Sequence, residues 1–176
     1  MFTSVQNSIR NRPKSCKPGQ SMLEFLAAVG ILLAAVSILV DFGRALNYEQ
    51  VMIGLSRQGS NLASRGDTLA QAAQAVINGF APLNSNNGEV IVTSVQTQRN
   101  VSKITGQASL GGIVAASKIG NGVGSTATVP AGSANMLQNG QTIYITEIFY
   151  NYQSITPLGR LLNIVIPSPL YQVAYF

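Results

Sequence analysis

Residues 22–40 read MLEFLAAVGILLAAVSILV, nineteen positions with Glu24 as the only charge. As a helix such a run rises roughly 28 Å, close to a hydrocarbon core of ~30 Å. It has no polar face, which argues that water is not its solvent on any side. From Asp41 the pattern changes. Positions 48, 52, 55, 59, 62, 66, 69, 73, 76 and 80 carry only apolar or small residues. That 3–4 spacing predicts an amphipathic helix lying on a sheet of its own chain rather than in an intersubunit coiled coil. Gly59 and Gly66 on this stripe would let another backbone approach closely. A break is expected at Arg65-Gly66, with Asp67 or Thr68 capping a new helix and Gln71 at capping-box distance from Thr68. Asn78-Gly79 should close that helix through left-handed backbone.

Three further segments favour strands, the first two rich in β-branched and aromatic residues: 89–98 (EVIVTSVQTQ), 141–152 (QTIYITEIFYNY) and the short tail 170–176 (LYQVAYF). In the second, Ile143, Ile145 and Phe149 share one face, and Tyr144, Ile148, Tyr150 and Tyr152 the other. Two apolar faces predict a central strand covered by helix on one side, with the tyrosines partly exposed for burial against other subunits. Pro167 and Pro169 place the last strand at an edge. Residues 105–140 hold eight glycines and one charge, Lys118. They read as a long loop with a short helix near 110–118. Gly120-Asn121-Gly122-Val123-Gly124 lacks the spacing and the strand–helix context of a phosphate loop. The resulting fold class is α+β. A long N-terminal helix, transmembrane then amphipathic, packs on a small, mostly antiparallel sheet with a long Gly/Ser-rich loop.

Charge sharpens the division. Of 11 basic residues, Arg10, Arg12, Lys14 and Lys17 fall in residues 1–19, which contain no acid. The remaining chain has seven basic and six acidic residues, so formal charge gives little reason to expect nucleic acid. Basic residues before the apolar run keep the N-terminus cytoplasmic and send the chain beyond Val40 outward. There is no His and a single Cys, so neither a Ser-His-Asp nor a Cys-His arrangement can be assembled. A metal site would have to come from six scattered carboxylates; no metal, cofactor or enzymatic activity is expected. Cys16 has no disulfide partner and precedes the apolar run, the wrong side for a lipidated cysteine. Arg65-Gly66-Asp67 is read as a helix stop and cap rather than an adhesion tripeptide. Asn100-Val101-Ser102 fits a glycosylation sequon only by chance.

An ordinary signal peptide is cut after its apolar segment, at small residues. Here that segment runs into Asp41-Phe42-Gly43-Arg44. The distinctive junction lies before it, at Lys17-Pro18-Gly19-Gln20-Ser21-Met22-Leu23-Glu24. A basic leader, a Gly, then an apolar run with Glu five places on resembles the type IV prepilin cleavage signal. Together with the exit Asp41-Phe42-Gly43-Arg44 and the continuations Arg57-Gln58-Gly59 and Ala63-Ser64-Arg65-Gly66, residues 17–66 resemble the TadE family. Its members are minor pilins or pseudopilins of the Tad, or Flp-type, tight-adherence pilus.

The resemblance implies domains of 1–19 as a cleaved leader, 20–40 as transmembrane and assembly helix, and 41–176 as exported head. Cleavage would fall between Gly19 and Gln20, by a prepilin peptidase at the cytoplasmic face. Glu24 would pair with the new amine of a neighbouring subunit's Gln20 and set register. The expected partners are other pilin subunits, the inner-membrane assembly platform and, before assembly, the lipid bilayer. The expected location is the bacterial inner membrane and then the pilus or its tip, serving surface adhesion and biofilm. The alternatives are a type II secretion pseudopilin, with the same junction chemistry, and a signal-anchored exported binding module.

Overall fold

The apolar run forms part of one long helix. The computed structural model describes residues 18–99, 101–129, 138–161 and 168–176. The four leader cations, Cys16, Asn100 of the sequon, residues 130–137 and Pro167 lie outside the described residues. The chain divides into two compact units, Met1–Val36 and Ser37–Phe176. Helix α1 spans Pro18–Ser64. In the first unit its side chains are exposed almost throughout, and none of its most apolar 18-residue window is buried. By length and composition it is the one helix among the described residues able to cross a membrane.

In the second unit the 3–4 spacing becomes a buried stripe. Ala45, Tyr48, Met52, Leu55 and Ala63 of α1 enter a core with Ala72, Ala73 and Val76 of helix α2 (Leu69–Asn78). The expected break is present. Gly66 turns the chain at φ 105°, and Thr68 and Gln71 form a reciprocal capping box. Two details differ. Gly66 has open space where a Cβ would be, so positive φ, not close approach, explains it. At Gly59 a Cβ would lie 2.8 Å from both Thr146 Oγ1 and Val76 Cγ2; the close approach is by side chains rather than another backbone. Gly79 ends α2 at φ −85°, without the expected left-handed residue, its N–H reaching the Ala75 and Val76 carbonyls.

The sheet is antiparallel throughout, in the order β2-β1-β3-β4. Its strands are β1 (Gly88–Gln98), β2 (Val101–Gly111), β3 (Thr142–Tyr150) and β4 (Leu170–Tyr175). β3 is central and β4 an edge, as the sequence predicts. β2 is the correction: residues 101–111 pair with β1 from Gln98↔Val101 to Glu89↔Gly111, so the long loop expected over 105–140, with a short helix near 110–118, begins instead as strand. Its glycines suggested a loop, yet they serve packing. A Cβ at Gly111 would lie 2.6 Å from the Glu89 Cα, and one at Gly106 would lie 2.9 Å from Leu69 Cδ1.

Alternation gives the sheet two faces. Val90, Val92, Ile148 and Tyr150 meet the helices, and Tyr150 and Tyr152 are buried there instead of exposed. The opposite face carries Val95, Ile104, Ile143 and Ile145 under Ile119 and Ala127 of an irregular segment, residues 112–129. That segment crosses the sheet as a strap. Gly124 N–H donates to the Ile104 carbonyl at 2.8 Å, and Ala127 N–H to Ser102 at 2.8 Å. A short helix α3 (Pro157–Leu161) follows β3.

Candidate functional site

The residues singled out from sequence fall in two places. Gly19, Gln20 and Glu24 lie together at the start of α1, all exposed. Gln20 and Glu24 are one turn apart, and Gln20 Nε2 donates to Glu24 Oε1 at 3.1 Å. Among the described residues the exposed carboxylate has this one neutral partner, which leaves it accessible to a cation from another molecule. No side chain approaches the space a Cβ would fill at Gly19.

Asp41, Phe42, Gly43 and Arg44 lie in the second unit and are split by the helix. Asp41 and Arg44, three apart, share the side that continues through Tyr48, whereas Phe42 and Gly43 are exposed. Asp41 is buried, with 3% of its surface accessible. Its Oδ1 accepts from the Ile155 N–H at 3.1 Å, and its Oδ2 from the Thr156 hydroxyl. Its main-chain carbonyl accepts from the Tyr152 hydroxyl at 2.9 Å. Arg44 Nη2 donates to the Tyr48 hydroxyl at 2.5 Å, with the guanidinium 5.3 Å from that ring's centroid. Burial opposes ionisation of Asp41, but the Thr156 and Ile155 donors and the nearby Arg44 charge outweigh it, holding the carboxyl below its ordinary range. Burial and the Asp41 charge push the Tyr152 hydroxyl up.

The arrangement is a clamp. Asp41 fastens residues 152–156 to α1, and Gly159 is required beside it, because a Cβ there would collide with Oδ2. Residues 152–159 were missed as part of this site. The available signal was Thr156-Pro157, a cap residue followed by Pro at the first helical position. In the structure Thr156 Oγ1 accepts from the Gly159 N–H at 3.0 Å.

Two more carboxylates that the sequence left unassigned hold the strap. Glu147, fully buried, accepts from the Ser117 hydroxyl, from the Lys118 N–H at 2.9 Å and from the Tyr171 hydroxyl at 2.9 Å. Lys118 Nζ lies 3.6 Å from the centroid of the Tyr171 ring. Burial, then the Glu147 carboxylate, pushes the Tyr171 hydroxyl well up. Glu89 accepts from the Ala115 N–H. Among the described residues no cluster of His, Cys, Asp and Glu has the make-up of a metal site.

Glu89 has the opposite linkage sign to Asp41. Burial pushes its carboxyl up, and the Ala115 N–H only partly opposes this. A raised folded value means the favourable contribution is complete below the unfolded value of about 4.3 and is lost as pH rises through the folded value. Once ionised, the group is a buried charge with a neutral donor. Glu89→Gln keeps an acceptor for Ala115 and removes that charge. It should raise stability at pH 7 by about 1 kcal/mol in urea titrations and give no gain near pH 3.5. Destabilisation at pH 7 would mean the charge itself is needed there.

Comparison of the chain with family models, with curated proteins and with solved structures finds no match.

Proposed function

We propose that the chain is a structural subunit of a type IV-like filament, a TadE-like minor pilin or pseudopilin of a Tad pilus. On this reading it is held in the bacterial inner membrane by residues 20–40 until assembly. The observation that carries it is the start of α1, where an exposed apolar helix begins at Gly19-Gln20 with Glu24 as its only acid before Asp41. The long helix leading into a small antiparallel α+β head is the layout such a subunit needs. A carboxylate within an apolar run costs on the order of 2.5–3.5 kcal/mol at a bilayer centre and less near the interface. An unpaired amine on a neighbouring subunit's Gln20 would offset that cost and fix register. Prepilin peptidase, sister subunits and the assembly platform are the partners this reading requires. Surface adhesion is the role it implies.

The first test is intact mass and N-terminal sequence from membranes of a host with a prepilin peptidase. The expected mature chain begins at Gln20, and deletion of the peptidase leaves full-length precursor. Retention of residues 1–19 in the presence of the enzyme would make the protein a signal-anchored module and remove the register role. A second test separates processing from assembly. Glu24→Ala should be cut normally yet enter filaments at least about tenfold less, in cells lacking a wild-type copy. Normal incorporation would sink the pairing with Gln20.

A further inference from the structure

Between the strap and the sheet lies a cavity of about 230 Å³. Its walls from β1 are Glu89 and Ile91, 6% and 3% exposed. Strand alternation puts both on the strap-covered face, with Ser109 of β2 opposite Ile91. Ser109 and Asn121 of the strap are exposed at the margin of the cavity. Val114, wholly exposed, stands beside half-buried Ala115 as an apolar rim.

Two polar side chains of the lining are engaged within the protein. Gln107 Nε2 donates to Thr93 Oγ1 at 3.1 Å and to the Gly120 carbonyl at 3.0 Å, and its Oε1 accepts from the Gly122 N–H at 3.0 Å. The Ser117 hydroxyl donates to Glu147. Glu89 is different. Its Oε2 accepts from the Ala115 N–H, but none of the described residues donates to its Oε1. No Lys or Arg lines the cavity among the described residues. Lys118 of the strap is drawn to Tyr171 on β4, two strands beyond β1. Glu147 stands opposite Ile91 on the same face, so a second carboxylate adds to the negative field. A buried carboxylate oxygen without a donor costs stability, and Glu89→Gln is expected to relieve that cost. Residues that weaken a fold in this way are typical of binding sites.

We propose that this cavity binds a primary alkylammonium group, with Glu89 Oε1 as its anionic partner. An ammonium carries three donors, and Glu89 Oε1, the Ser109 hydroxyl and the Asn121 amide oxygen are acceptors of the lining. Ile91, Val114 and Ala115 supply apolar surface for the methylene stem. A divalent cation fits less well. Calcium takes six to eight oxygens, and Glu89 Oε1 is the one carboxylate oxygen here without a donor, since both oxygens of Glu147 are engaged. The volume lies below that of drug-sized ligand sites and suits a lysine side chain or a short free amine. The inference depends on the head alone and fails or survives separately from the filament reading.

The test is titration of the isotope-labelled full chain, in an uncharged detergent, with n-butylammonium chloride at constant ionic strength. A pH of about 8 keeps the amine charged. The amide signal of Ala115, whose N–H bonds to Glu89, should shift saturably with a midpoint in the millimolar range. Glu89→Gln should weaken binding at least about tenfold. That variant is expected to be the more stable protein, so lost binding does not mean lost folding. Asp67→Asn removes an equal charge from an exposed acid outside the cavity and should change affinity less than about twofold. Nα-acetyl-lysine amide separates the sources of the ammonium. Tighter binding than n-butylammonium assigns the site to a lysine of another chain, and weaker binding to a free amine. No saturable shift, an equal response to neutral n-butanol, or unchanged affinity in Glu89→Gln overturns the proposal. Tighter binding of calcium than of n-butylammonium overturns it in favour of a metal site.

Discussion

Asp41→Ala is expected to cost the head about 2–3 kcal/mol, because it strands the Ile155 N–H and the Thr156 hydroxyl beside buried groups. It also removes the acceptor that holds the segment before α3 against α1. Tyrosine fluorescence in urea reads the loss directly, since Tyr48 and Tyr152 pack edge-to-face at 5.8 Å next to the clamp and the chain has no Trp. The pH dependence carries a second signature. A depressed folded value means the contribution is present above the unfolded value of about 3.9 and is lost as pH falls through the folded value. Acid should therefore weaken the wild-type head by a component that Asp41→Ala lacks. A loss below about 0.5 kcal/mol, with an unchanged acid profile, would show that residues 152–159 are held by other contacts.

Glu147→Ala should be the most damaging substitution at any of the acids, at about 3–5 kcal/mol. It deletes the common acceptor of Ser117, Lys118 and Tyr171 in a fully buried place and leaves a cavity there. The strap should loosen before the sheet does. Amide exchange at Lys118 is therefore expected to accelerate much more than exchange at Ile148, which is on the helix-facing side. Uniform acceleration at both would mean that the strap and sheet open as one unit. Glu89→Gln has the opposite sign at neutral pH. The number of donors separates the three buried acids: Glu147 has three, Asp41 two and Glu89 one.

Much of this architecture was legible because its signals are local. The Thr68–Gln71 box, the turn at Gly66 and the β-branched and aromatic make-up of β1, β3 and β4 are all read from neighbouring residues. β2 was not legible. Its pattern is that of an edge strand with few inward side chains, Ile104 among them, and its identity comes from the ladder to β1. The residues singled out divide in the same way. The junction at Gly19, Gln20 and Glu24 is a sequence feature and lies within the first two turns of α1. The role of Asp41 depends on residues more than a hundred positions away, and nothing near it announces them. Tyr150 and Tyr152 were misjudged for a related reason. A tyrosine on a strand face does not disclose whether a helix will cover it, and Tyr48 of α1 packs against both.

The distance along the chain between Asp41 and its partners has a consequence for how the head comes into being. The main-chain carbonyl of Asp41 waits for a hydroxyl 111 positions later, its carboxylate for groups 114 and 115 positions later, and Ser60 for the Ala174 carbonyl, also 114 positions on. A chain that emerges in order thus presents the stripe from Ala45 to Ala63 long before β3 and β4 exist to cover it. Contacts of such long sequence separation form slowly. Throughout that interval the stripe is an adhesive apolar surface beside a second one, the run at 22–40. The newborn chain therefore carries two uncovered apolar surfaces at once, and the head's own stripe is fully covered only when β4 docks.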